Sequence, residues 1–217
     1  MLPAACRTGT AKLHFRKFEV SVLLNPPTMK KLSILLLALP LLLASCAHKT
    51  EPVAPAPAFD SSSIYSYSYT DIDGRTVKLA DLKGKKIMFV NTASYCVNTP
   101  QYAGLERLYQ RYKDRLVIIG FPCDDFGHQE PGTVDEIKEV CQNYSISFPM
   151  SQKIAVLGNG IHPIYRWLTT QSLNGRFSST VDWNFQKYLV DANGTLVAKF
   201  ENYTDPEDPA IVSEVGK

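Results

Sequence analysis

Between Lys85 and Ala93 the chain reads KKIMFVNTA, and between Arg115 and Pro122 it reads RLVIIGFP. Continuous apolar runs of this length fit strands buried on both faces. From Pro100 to Lys113, Leu105, Leu108, Tyr109 and Tyr112 recur at helical spacing, with Pro100 suited to a first turn. Val134, Ile137, Val140 and Cys141 repeat the helical period across Thr133 to Tyr144, and HPIYRWLTT predicts a shorter helix. Two segments are organised around turn dipeptides. The stretch from Ile64 to Gly84 does so around Asp73-Gly74 and the stretch from Phe185 to Glu201 around Asn193-Gly194, so both predict hairpins. A last helix is expected near Asp205, short and with a thin apolar face. Strands alternating with helices and closing in a hairpin predict an α/β domain. No internal repeat is visible.

Residues 1–60 follow another pattern. Met29 opens MKKLSILLLALPLLLASCAHKT, in which Lys30 and Lys31 precede an apolar stretch, Leu32 to Ala44, too short for an ordinary membrane span. This predicts a signal peptide over residues 29–45, with Met29 as the translation start and residues 1–28 as an upstream extension. Cys6 then carries no functional weight. LASC at Leu43 to Cys46 resembles a bacterial lipobox, which implies cleavage before Cys46 and its lipidation; an uncleaved anchor helix is the alternative. Each buried lipid methylene contributes about 0.8 kcal/mol to such an anchor. The expected location is the cell envelope, on the outer membrane or the periplasmic face, and Ala47 after Cys46 points to the outer membrane under enteric-type sorting. Residues 46–60, rich in Pro and Ala, predict a flexible tether, and residues 61–217 the folded domain.

Composition adds little. At 45% hydrophobic and 20% charged the chain can build a core, and a net charge of +2 gives no ground for a nucleic-acid partner. Five cysteines leave at least one unpaired within the chain. His128 and His162 lack partners at metal-ligand spacing, so neither a metal nor a cofactor is expected.

Candidate chemistry centres on Cys96, in FVNTASYCVNTPQY, between a buried strand and a helical pattern. Unpaired N–H groups at a helix N-terminus favour an anion, and a thiol placed there is favoured as thiolate. A small buried hydrophobe is the other reading of a lone cysteine. The neighbouring segments decide between them. NTASYCVNTPQYAGLERLYQRY resembles the active-site segment of glutathione peroxidases. IIGFPCDDFGHQEPGTVDEI and VDWNFQKYLVDANG are similar to that family's second and third signatures, in the family's order. The resemblance spans about Ser61 to Pro209. It implies a thioredoxin-like fold, a central mixed sheet flanked by helices with an N-terminal hairpin, which fits the order of elements above.

The resemblance also implies roles. Cys96 matches the family's peroxidatic selenocysteine or cysteine, and Gln129, Trp183 and Asn184 match the rest of its catalytic tetrad. Amide and indole N–H donors suit the charge that develops when a thiolate cleaves a peroxide. Cys141 matches the resolving cysteine of members reduced by thioredoxin. The implied cycle runs from sulfenic acid to a Cys96–Cys141 disulfide to reduction by a dithiol. If both cysteines start on helices, bridging them requires local unwinding. Cys123 resembles a family cysteine that is usually dispensable for catalysis, and it is expected to be a strand-end packing residue. The partners implied are a hydroperoxide, a thioredoxin-like reductant in preference to glutathione, and a membrane. A monomer is expected, because the long oligomerisation loop of tetrameric members has no counterpart between Gln152 and Trp183.

Departures from the family pattern raise further expectations. Val97 replaces a common glycine and narrows backbone freedom beside the thiol. Asp124 and Asp125 either oppose a thiolate or sit in a solvated loop. Two alternatives share these motifs. One is a peroxide sensor that relays oxidation. The other is a thiol–disulfide oxidoreductase, which would want a cysteine where Thr99 stands.

Overall fold

The computed structural model describes residues 63–217. The expected upstream extension, signal peptide, lipidation site Cys46 and tether lie outside the described residues.

The two apolar runs form β3 (Lys86–Thr92) and β4 (Leu116–Pro122), paired in parallel, with β3 inside the sheet and β4 at the end of its strand order. The crossover between them is α1 (Gln101–Tyr112). The C-terminal hairpin supplies β5 (Lys187–Val190) and β6 (Leu196–Phe200), with β5 antiparallel to β3, so the sheet is mixed and ordered β4-β3-β5-β6. Gly194 sits at φ 87° in the hairpin turn, and the Asp191 carboxylate accepts from the N–H groups of Asn193 and Thr195. The Asp73-Gly74 turn joins β1 (Ser68–Thr70) to β2 (Thr76–Lys78) in a separate antiparallel pair.

Period-two alternation along β3 divides the core between the two faces of the sheet. Ile87 and Phe89 join Phe121, Tyr188 and the buried side of α3 (Pro163–Thr169), where His162 caps the helix start by accepting from the Ile164 N–H. Met88 and Val90 join Leu105 and Leu108 of α1 and Ile211 and Val215 of α5 (Pro209–Gly216). The thin face expected of the last helix is therefore enough to seat it. A short α4 (Gln171–Asn174), not anticipated from the sequence, follows α3 and ends at Gly175 in the left-handed region. The second helical pattern becomes α2 (Val134–Asn143), opened by a reciprocal capping box between Thr133 and Glu136. Lys187 is fully buried at the start of β5, and its Nζ donates to Gln101 Oε1 at 2.5 Å and to the Thr204 carbonyl at 2.6 Å. It thereby ties the loop after β6 to the first turn of α1.

Candidate active site

The registers bring three loops to one end of the sheet. Thr92 and Pro122 end β3 and β4 side by side, and Lys187, which opens β5, pairs with Val90. Residues 93–100, 123–133 and 180–186 therefore meet beyond the carboxyl ends of the parallel strands, where open α/β sheets bind their ligands.

Cys96 lies in the first loop, 6% exposed. The helix expected to begin beside it starts only at Gln101. Between them runs a series of i→i+3 turns, from Thr99 N–H to the Cys96 carbonyl at 3.0 Å through Gln101 N–H to the Asn98 carbonyl at 2.9 Å. The donor to the sulfur therefore comes from this turn rather than from α-helix: Asn98 N–H reaches Cys96 Sγ at 3.4 Å. Thr99 clamps the turn. Its hydroxyl accepts from Cys96 N–H at 3.1 Å and is placed to donate to the carbonyls of Ala93 and Cys96, at 2.9 and 2.7 Å.

The second and third loops hold Gln129, Trp183 and Asn184. Asn184 Nδ2 donates to Gln129 Oε1 at 3.1 Å. Gly127, at φ 63°, lets the backbone pass beneath both Gln129 and Trp183; a Cβ there would sit 3.7 Å from Gln129 Cγ and 3.7 Å from Trp183 Cη2. Trp183 also packs against Phe126, with ring centroids 5.6 Å apart. The cysteine loop is tied to both partners: Tyr95 N–H donates to the Gln129 carbonyl at 3.0 Å, and Asn98 Nδ2 to the Asn184 carbonyl at 3.4 Å. The four residues singled out in the sequence are thus carried by interlocked loops.

Cys123 is more than the packing residue expected of it. It is fully buried, and its Sγ lies 3.5 Å from Asn184 Oδ1 and 3.7 Å from Asn91 Nδ2. Burial pushes its thiol up to about 12, so it is held protonated. Cys141 is half-buried on α2 and lines a cavity of about 390 Å³ with Ile72, Ile146 and Phe148. Burial, then the nearby Glu130, raises it to about 11. Cys96 and Cys141 are both free thiols here.

Asp124 accepts from Glu130 N–H at 2.8 Å, and Asp125 from Val156 and Leu157 N–H at 2.5 and 3.1 Å. Asp124 is half-buried and Asp125 exposed, so the two carboxylates stand in a solvated loop and also organise its backbone. Val97 is 85% exposed and not in the left-handed region, so its branched side chain is accommodated outward. It and Tyr95, 65% exposed, flank the thiol with apolar surface. Asn91 and Asn98 were not singled out from the sequence, and Thr99 was noted only as the position a second cysteine would take. The available signal was an asparagine inside the buried run FVNT and an Asn-Thr pair just after the cysteine. Among the described residues, no three His, Cys, Asp or Glu side chains converge to hold a metal.

A thioredoxin-like sheet whose end gathers the Cys96 loop with the loops that carry the Gln129–Asn184 amide pair and Trp183 fits a thiol-based redox protein. Comparison with known proteins gives the family. Residues 64–169 match the glutathione peroxidase profile. The chain is 45% identical over 148 residues to "Glutathione peroxidase" of Lactococcus lactis subsp. cremoris, covering 67% of this chain and 94% of that protein. It is 44% identical over 148 residues to "Glutathione peroxidase-like peroxiredoxin gpx1" of Schizosaccharomyces pombe, covering 67% of this chain and 93% of that protein. The crystal structure of Trgpx in apo form superposes with a TM-score of 0.57 at 32% identity, covering 73% of this chain and 98% of that one. The chain belongs to the glutathione peroxidase family and is a peroxidase.

Proposed function

We propose that the protein is a membrane-tethered, monomeric thiol peroxidase in which Cys96 reduces hydroperoxides and a thioredoxin-like dithiol protein restores it through Cys141. The Cys96 thiolate attacks one peroxide oxygen and the O–O bond breaks. Cys96 becomes a sulfenic acid, and the other oxygen leaves as water or alcohol after taking a proton. Asn98 N–H supports the thiolate, while the Gln129 amide, the Trp183 indole N–H and Asn184 support the charge on the leaving oxygen. Cys141 then attacks the sulfenic sulfur, forming the disulfide and releasing water, and the external dithiol takes over the disulfide.

The observation that carries this reading is the hydrogen-bonded convergence of the Cys96, Gln129 and Asn184 loops at one end of the sheet. Thr99 stands where a thiol–disulfide oxidoreductase would have its second cysteine, and its hydroxyl clamps the loop instead. The lipobox-like segment and the apolar Tyr95 and Val97 rim favour lipid hydroperoxides. Peroxide consumption by the purified protein, with thioredoxin and with glutathione in separate assays, tests the proposal. Turnover with thioredoxin, lost in Cys96→Ser and Cys141→Ser, is expected. A single oxidation of Cys96 with turnover on neither reductant would instead favour a sensor. Equal rates with soluble and vesicle-borne peroxides would remove the lipid preference.

A further inference from the structure

We infer that Cys123 is a positioning residue whose S–H sets the hydrogen-bond polarity of the Asn184 and Gln129 amides, so that Gln129 offers its NH2 end to the peroxide. The inference rests on the proposed role of Gln129 as a donor.

Asn91 is buried in β3. Its Oδ1 accepts from the Gln186 backbone N–H at 3.1 Å, and its Nδ2 donates to the Trp183 carbonyl at 3.0 Å. A backbone N–H only donates and a carbonyl only accepts, so these two partners admit one orientation of the Asn91 amide. The same Nδ2 faces Cys123 Sγ at 3.7 Å, which makes sulfur the acceptor on that side. Held protonated by burial, the thiol has its S–H left for its other neighbour, Asn184, at 3.5 Å. Asn184 must then turn Oδ1 toward the sulfur, which puts its Nδ2 against Gln129 Oε1 at 3.1 Å. With its oxygen engaged, Gln129 keeps its NH2 for a bound ligand.

The opposite setting is chemically adverse. If Asn184 were flipped, the sulfur would face two N–H donors and its own proton would lose its acceptor. Gln129 would then answer the Asn184 oxygen with its NH2 and present its carbonyl to an oxygen that is gaining negative charge. The polarity is fixed by backbone groups at Asn91 and passed through one S–H to the reacting end. Cys123 touches neither peroxide nor thiolate in this scheme; it acts through Asn184 and Gln129.

The test is single-turnover oxidation of Cys96 by hydrogen peroxide in the full-length protein, beside alkylation of Cys96 by iodoacetamide, both read on the Cys96 peptide by mass spectrometry. Alkylation reports thiolate reactivity and needs no donor at a leaving oxygen. Cys123→Val removes the S–H at similar volume and should slow oxidation about tenfold while leaving alkylation within about twofold, the loss of roughly one hydrogen bond at the reacting end. Cys123→Ser, which can both donate and accept, should recover oxidation to within about threefold of the wild type. Should Cys123→Val not fold, as judged by thermal melting, Cys123→Ala carries the same expectation. Gln129→Leu serves as the reference. If it slows oxidation while Cys123→Val does not, the relay is overturned and the role of Gln129 survives. If Gln129→Leu oxidises at the wild-type rate, the reading of the site itself fails. A Cys123→Val variant slowed equally in oxidation and alkylation, or a serine variant as slow as the valine one, would reduce Cys123 to packing.

Discussion

If Cys141 resolves the Cys96 sulfenic acid by way of an opened α2, loosening the cap of that helix should speed the step. A disulfide tolerates Cα separations of only about 4.4–6.8 Å, and the two free thiols lie on different segments, Cys96 in the loop before α1 and Cys141 on α2. α2 is held by one fully buried apolar side chain, Ile137 at 1% exposure, by the half-buried Val140 and Cys141, and by the exposed Lys138–Asp73 ion pair at 2.8 Å. The start of the helix depends on its capping box, in which Glu136 Oε2 accepts from Thr133 N–H at 2.6 Å and the Thr133 hydroxyl accepts from Glu136 N–H at 3.4 Å. Replacing an N-cap threonine with alanine costs ~1 kcal/mol. If opening precedes bridging as a fast equilibrium, that cost raises the open population, and with it the rate of disulfide formation, about fivefold. Opening also returns Cys141 to water and so relieves the burial that raises its thiol to about 11. The assay adds one equivalent of peroxide, quenches with acid at intervals, alkylates, and weighs the protein by mass spectrometry. Thr133→Ala should shorten the sulfenic phase about fivefold and leave the initial oxidation of Cys96 unchanged. A disulfide rate unchanged or slowed in Thr133→Ala would refute the opening step.

Three further outcomes follow from the fold. Burial lowers the Lys187 ammonium to about 7, so below that pH the folded state bears the full cost of the charge. Stability should therefore rise with pH from about 7 to about 9, above which the raised Cys123 and Cys141 thiols oppose it, by at most ~1.4 kcal/mol per pH unit, and urea titrations should show that slope reduced in Lys187→Met. Gly194→Ala should lower stability by ~2 kcal/mol in the same titrations, because φ is 87° and the new Cβ would meet Tyr65 Cε2 at 2.7 Å. Asp125→Ala removes the acceptor of two N–H groups and should cost ~1–2 kcal/mol, measured by thermal melting.

Local pattern carried much of this architecture. The β3 and β4 runs and the Asp73-Gly74 and Asn193-Gly194 turns each announce their conformation within a few residues, because burial and positive φ are local demands. The relation of Cys96 to its helix was less legible. A turn of i→i+3 bonds intervenes, held by Thr99 folding back on Ala93. Asn91 and Lys187 carried a signal, a polar residue in a buried strand, but their roles depend on partners that the fold brings in from distant segments: Trp183 and Gln186 for one, Gln101 and Thr204 for the other. The backbone role of Asp125 was hidden for the same reason, since the N–H groups it holds belong to residues beyond α2.

The most direct test of the proposed cycle counts thiols and maps the bond formed in a single turnover. After one equivalent of hydrogen peroxide, with no reductant present, the account predicts the loss of two thiols per peroxide and a peptide pair joined through Cys96 and Cys141. Recovery of Cys141 as a free thiol beside a Cys96 oxidised to sulfenic acid, with one thiol lost per peroxide, would contradict it.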